Sequence, residues 1–116
     1  MKALCVRIAG EGERDSWLTL NDEYQVLSVL MTTKGPAKLR IIADDGRTPI
    51  LADASQFAVS PQPLPPSWVL AIREGGVVEI GPPSWLEPGF WERYFDRDAD
   101  AISQFQQEIV RMESRQ

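Results

Sequence analysis

The sequence predicts a mostly β (α+β) fold, a small curved sheet or partly open barrel of five to seven strands with one C-terminal helix packed on it. Short apolar segments with strand-like composition recur between Gly, Pro, Asn and Asp residues over the first two thirds of the chain. The segment after Asp98 places apolar residues at the three- and four-residue spacing of a long helix. A chain of 116 residues, 43% of them hydrophobic, corresponds to one domain with a modest core.

Four consecutive segments make up this single domain, which spans residues 1–116. They are a β meander (1–60), a proline-rich connector (60–67), a hairpin (68–80) and an aromatic turn with the C-terminal helix (85–114). The connector SPQPLPPS is predicted to be a stiff, extended tie between the two halves, because proline favours polyproline-like backbone. Binding of the connector by a proline-reading module is the alternative.

The meander begins with an imperfectly alternating segment, residues 1–9, which predicts a first strand. The polar residues 11–16 (EGERDS) predict a loop after it. Residues 24–32 (YQVLSVLMT) are rich in β-branched and aromatic residues, and both sides of this segment are largely apolar toward its end. We therefore expect this strand to be central in the sheet.

Two hairpins are predicted from turn residues. Asp45-Gly46 supports positive φ at the turn of the first hairpin. Pro49, which lacks an N–H, places the returning strand at a sheet edge or a bulge. In the second hairpin (WVLAIREGGVVEI), residues 74–76 supply the turn.

The C-terminal region predicts two helical pieces. FWERYF (90–95) has the spacing of a short helix, and Asp98 is a good N-cap for a helix from about 99 to 114. Asp100 in the first turn of that helix complements the helix dipole. The apolar stripe expected to face the sheet consists of Ile102, Phe105, Ile109 and Met112.

The aromatic residues between 85 and 105 are predicted to fill the space between helix and sheet. The four rings assigned to this core are Phe90, Trp91, Phe95 and Phe105. Trp85 and Tyr94 are expected to keep a polar edge outside. An exposed aromatic patch that is covered by a partner is the alternative.

Composition excludes several function classes. The chain has no histidine, which removes serine-histidine and cysteine-histidine catalysis and most zinc sites. The single cysteine, Cys5, fits a reducing cytoplasm and predicts a buried, inert thiol. A net charge of −5 disfavours nucleic acid as a partner and suits a basic protein. No apolar run is long enough for a membrane span, and no cofactor motif is present, so neither membrane nor cofactor is expected.

The one-three-five spacing of Asp96, Asp98 and Asp100 is the spacing of a calcium-binding loop. That loop also requires glycine at position six and glutamate at position twelve, where this chain has Ala101 and Gln107. A turn and an N-cap explain the aspartates better, so no metal site is predicted.

Parts of the chain resemble known families. WLTLNDEYQVLSVL and LRIIADDGRTPILADASQFAVS resemble the opening of a Src-homology-3-like barrel, with a turn into a YxV strand and an Asp-Gly hairpin. PSWVLAI and GPPSWLEPGFWERYFDRDADAISQF are similar to the closing pattern of a family of small, mostly uncharacterised bacterial proteins, some of which resemble immunity proteins of toxin–immunity systems. The resemblance covers about residues 17–112 and implies a barrel with a C-terminal helix rather than a catalytic motif.

The predicted function is protein binding without catalysis. The preferred version is a cytoplasmic, immunity-type inhibitor that recognises a basic toxin domain through an acidic face. The candidate partner-binding residues are Asp44, Asp45, Trp85, Glu92, Tyr94, Asp96, Asp98 and Asp100. The alternative is a general interaction or accessory module that binds through a sheet edge or its aromatics. A third hypothesis is an enzyme that uses only carboxylates, which would need a pocket lined by two of them.

Overall fold

The structure is a computed structural model that describes residues 1–8 and 17–114. Seven strands are formed within these ranges: β1 (Lys2–Cys5), β2 (Glu23–Met31), β3 (Lys38–Ile42), β4 (Pro49–Asp53), β5 (Phe57–Ala58), β6 (Val69–Arg73) and β7 (Val77–Gly81). The two α-helices are α1 (Phe90–Phe95) and α2 (Ala99–Ser114), and short 3₁₀ turns occupy Ala54–Gln56, Glu74–Gly76 and Pro83–Leu86. The predicted loop at 11–16 lies outside the described residues.

All strand pairs are antiparallel, and the sheet stays open over the described part of the chain. The order is β4-β3-β2-β1-β5, and β7 joins the C-terminal half of β2 and pairs with β6 on its other side. β2 pairs with β1, β3 and β7, so the prediction of a central strand is confirmed. The predicted class, a mostly β domain with one main C-terminal helix, is also confirmed.

A bulge in β2 changes which of its side chains are buried. Val26 faces Ile41 on β3 and Ser28 faces Arg40, so Leu27 is an extra residue on β2. Val26, Leu27 and Ser28 are consequently all buried, where strict alternation would bury every second residue.

The first hairpin has the predicted turn and edge. Its loop closes through a hydrogen bond from Ala43 N to Thr48 O at 2.9 Å, and Gly46 adopts φ 76°. β4 begins at Pro49 and, among the described strands, pairs with β3 alone. The expectation that Pro49 marks an edge strand is confirmed, because no sheet neighbour requires the missing N–H.

The aromatic core differs from the prediction at two positions. Trp85 is 1% exposed and stacks on Phe105 with ring centres 5.1 Å apart, so the expectation of an outward polar edge was wrong. Phe95 is 54% exposed, so its assignment to the core was wrong as well. The 3₁₀ turn before α1 brings Trp85 against α2. Phe95, the last residue of α1, has its ring beside those of Trp91 and Tyr94 and is otherwise open to solvent.

The predicted helix cap and stripe are present. Asp98 Oδ2 accepts a hydrogen bond from Ala101 N at 3.0 Å, which caps α2 as expected. Phe105 and Met112 are buried, and Ile102 and Ile109 are half-buried. Cys5 is fully buried, as predicted. In the described part of the chain, no helix combines the length and apolar character needed to cross a membrane.

Candidate interaction surfaces

The two aspartates of the first hairpin have structural roles. Asp44 accepts hydrogen bonds from Thr19 Oγ1 at 2.7 Å and from Tyr24 Oη at 2.5 Å. Burial, followed by the hydrogen bond to Asp44, raises the pKa of Tyr24 to about 12. Because Thr19 precedes β2 and Tyr24 lies within it, Asp44 ties the hairpin loop to the start of the central strand.

Asp45 organises the loop itself. Its carboxylate accepts hydrogen bonds from Arg47 N at 2.9 Å, from Thr48 N at 2.8 Å and from the Thr48 hydroxyl. These donors, the Thr48 hydroxyl foremost, lower the pKa of Asp45 to about 2. The side chain is exposed, but its acceptor capacity is used within the loop.

A shared capping motif joins α1 to α2. Arg97 N donates to Tyr94 O at 3.0 Å and Asp98 N donates to Arg93 O at 2.9 Å, which is the hydrogen-bond pattern of a Schellman motif. Asp98 therefore takes part in two caps: its N–H closes the C-terminus of α1, and its carboxylate caps the N-terminus of α2. Arg97 has φ 66°, the left-handed conformation that glycine commonly supplies at this position. We call this junction, residues 96–98, the helix elbow.

The predicted acidic face is only partly assembled. Glu92, Asp96 and Asp100 are exposed around the helix elbow, whereas Asp44, Asp45 and Asp98 serve the fold as described above. Arginine neighbours lie among these acids, at 47, 93 and 97. Trp85 is buried and presents no surface to a partner, and Tyr94 is half-buried. Within residues 1–8 and 17–114, no three acidic or cysteine side chains come together as a possible metal site.

A different surface is apolar and has no partner. β6 carries exposed Val69 (44%), Leu70 (56%) and Ile72 (72%) and lies at the edge of the sheet. β7 is the one strand that pairs with β6 over the described residues. Among the described residues, the outer N–H and C=O groups of β6 have no strand partner, as is typical of an edge strand that can pair with another chain.

Registers place further apolar residues beside Leu70 and Ile72. Leu70 faces Ile80, which in turn faces Val29, and Ile72 faces Val78, which faces Met31. Directly opposed residues of antiparallel strands share one face of the sheet. We call this aliphatic surface the β6 patch; its exposed members are Met31, Leu70 and Ile72, and its half-buried members are Val29, Val78 and Ile80.

Arg73, the charged residue of β6, is bound to other groups of the protein. Arg73 Nη1 lies 2.8 Å from Glu79 Oε1, and Arg73 Nη2 donates to Leu86 O. Glu79 is 5% exposed, whereas the Arg73 side chain is 32% exposed, so the ion pair lies at the boundary between the interior and solvent. The guanidinium of Arg73 is thus bound to Glu79 and Leu86 and does not stand free in solvent, as edge lysines that discourage strand pairing do in many proteins.

The sheet's other edges are protected in ways that β6 is not. β4 starts with Pro49 and ends with Asp53, whose carboxylate pairs with Lys38 Nζ. β5 has two residues. β6 has five regular residues without proline or bulge. The sequence carried a signal for this surface, the apolar residues of VLAI and VVEI, but not the information that β6 is unpaired on one side.

No protein-family model matches the chain, and the comparisons with curated proteins and with solved structures also returned no match.

Proposed function

We propose that this chain is a protein-binding domain that accepts an extended segment of its partner along β6. The observation that carries this proposal is the combination, on one edge strand, of unpaired backbone groups with exposed Leu70 and Ile72. Strand addition obtains affinity from main-chain hydrogen bonds and specificity from alternate side chains. The fitting partner is therefore an extended segment with apolar residues at every second position.

An acidic surface supports a second candidate, the immunity-type inhibitor of a basic toxin domain in the cytoplasm. Glu92, Asp96 and Asp100 are exposed around the helix elbow, and the chain carries a net charge of −5. Complementary charge accelerates association and selects basic partners. The nearby arginines weaken this surface, which is why we rank it second.

Tagged protein used as bait in an extract of its own host separates the two candidates. We expect Ile72→Lys to abolish capture, because it places a charge on the edge strand of the β6 patch, where the partner segment would pair. Val110→Lys is the matched control, since Val110 is 63% exposed on α2. Glu92→Lys with Asp96→Lys tests the acidic surface on the same bait.

The captured partner is then purified and titrated at low and at moderate salt. Loss of binding in Ile72→Lys, retention in the Val110 and acidic variants, and a flat salt response support strand addition. A partner that still binds Ile72→Lys but is lost in the acidic double variant, with steep salt dependence, overturns strand addition and supports the inhibitor.

A further inference from the structure

A cleft separates the first hairpin from the helix elbow, on a different part of the molecule from the β6 patch. Its volume is about 530 Å³, and its walls include Arg47, Pro49, Phe95, Arg97 and Ile102. A neighbouring hollow of about 670 Å³ between the hairpin and α2 shares Arg47, Tyr94 and Gln106 with it. The two hollows therefore adjoin, and the second one is also lined by the acidic residue Glu113.

Two cations, Arg47 and Arg97, line this cleft outside any salt bridge of the described residues, although the charge of Arg47 acts on the nearby Asp45 carboxylate. Over residues 1–8 and 17–114, neither the Arg47 nor the Arg97 guanidinium forms an ion pair. By contrast, Arg73 forms an ion pair with the buried Glu79. A guanidinium binds carboxylate and phosphate groups through two parallel N–H···O hydrogen bonds. The cleft therefore offers an oxyanion two guanidinium groups that can each donate such a pair.

Arg97 occupies a backbone conformation that other residues adopt more easily. Its φ of 66° at the end of α1 is the position where glycine is the common residue. The chain thus places a long cationic side chain where a smaller residue is less strained. Residues in strained backbone conformations cluster at functional sites, which favours a role for this side chain.

Apolar walls stand beside the two arginines. Phe95 is 54% exposed although it belongs to the aromatic cluster, with its ring centre 6.3 Å from that of Trp91. Pro49 and Ile102 line the same cleft. A ligand with an apolar or aromatic body would cover Phe95 while its acid group meets the arginines.

We propose that this cleft binds a small oxyanion, a carboxylate or a phosphate, carried on an apolar or aromatic body. Asp45 and Asp96 are the nearby opposing charges. The Asp45 carboxylate accepts three hydrogen bonds from its own loop, which fix its position, and it stays ionised, so it opposes part of the attraction of the two arginines for an anion. The proposal goes beyond strand addition at β6 and does not depend on it.

The test is a titration of isotope-labelled protein with phenyl phosphate, benzoate and inorganic phosphate, followed by nuclear magnetic resonance. We expect the two aromatic probes to saturate and to shift the resonances of Phe95 and Ile102. Arg97→Gly and Arg47→Gln should each weaken binding by about tenfold or more, the effect of losing one charge-assisted hydrogen bond. Arg93→Gln, which removes an exposed arginine of α1 outside the cleft, should leave affinity unchanged.

Arg97→Gly keeps the test independent of folding, because glycine suits the left-handed position better than arginine does. The relative affinities of phenyl phosphate and benzoate identify which acid group the cleft prefers. Absence of shifts with both aromatic probes overturns the proposal. So does equal affinity in wild type and Arg97→Gly, or inorganic phosphate binding as tightly as phenyl phosphate.

Discussion

The guanidinium carbon of Arg40 lies 4.0 Å from the centre of the Trp91 ring. Arg40 is 9% exposed, and burial lowers its pKa to about 10, against the opposing influence of Glu79. Its Nε has no hydrogen-bond partner among the described residues. The indole face therefore supplies part of the stabilisation that water gives to an exposed arginine.

This contact should appear as a coupling energy. In a double-mutant cycle of Arg40→Met and Trp91→Ala, we expect about 0.5–2 kcal/mol of coupling in the free energy of unfolding. Urea denaturation followed by circular dichroism measures it without relying on the mutated tryptophan. If the loss of unfolding free energy in the double variant equals the sum of the losses in the single variants, the ring and the cation do not stabilise each other.

The two phenylalanines that the structure separates should differ in stability. Phe105 is 6% exposed between Trp85 and Tyr94, so Phe105→Ala should cost about 3–5 kcal/mol. Phe95→Ala removes an exposed ring and should cost less than about 1 kcal/mol. Urea unfolding of both variants measures the two losses of unfolding free energy. Similar losses would contradict the exposure of Phe95.

Replacing the left-handed arginine should stabilise the fold. Arg97→Gly removes a conformational cost of about 1–2 kcal/mol, partly offset by the greater freedom of glycine in the unfolded chain. We expect a net gain of about 1 kcal/mol. Arg93→Gly, inside α1, should instead lose about 1 kcal/mol. A loss of stability in both variants would mean that the Arg97 side chain makes a stabilising contact that outweighs its backbone strain.

The lowered pKa of Asp45 predicts that part of the folding stability is lost in acid. Its pKa is lowered from 3.8 to about 2, so it stabilises the folded state above pH 4 and loses this contribution as the pH falls toward 2. Asp45→Asn should therefore show a smaller loss of stability over that interval than wild type. Thr48→Val, which removes the strongest donor to Asp45, should also reduce the loss. Parallel curves of unfolding free energy against pH for the three proteins would contradict the prediction.

Local chemistry explains which elements were predictable. The Asp98 cap, the Asp45-Gly46 turn and the edge position of Pro49 each depend on a residue type and its immediate neighbours. The β2 bulge depends on how β3 pairs with it, and pairing across the chain leaves no short-range signature. For the same reason the sequence could not separate buried Trp85 from exposed Phe95.

The candidate surfaces were less predictable than the fold. Charge counting selected aspartates, but three of them are held by hydrogen bonds within the protein. The β6 patch and the arginine-lined cleft arise where distant segments meet, β7 against β2 and the first hairpin against the helix elbow. Composition alone cannot reveal such juxtapositions.

β2 has a consequence for how the protein can be divided. It pairs with β1 and β3 from the first half of the chain and with β7 from the second. Cleavage within the proline-rich connector would therefore yield fragments 1–63 and 64–116 that each lack a neighbour for their apolar strands. We expect neither fragment to fold stably alone. We expect the two to reassemble when mixed, which would allow the protein to be used for fragment complementation.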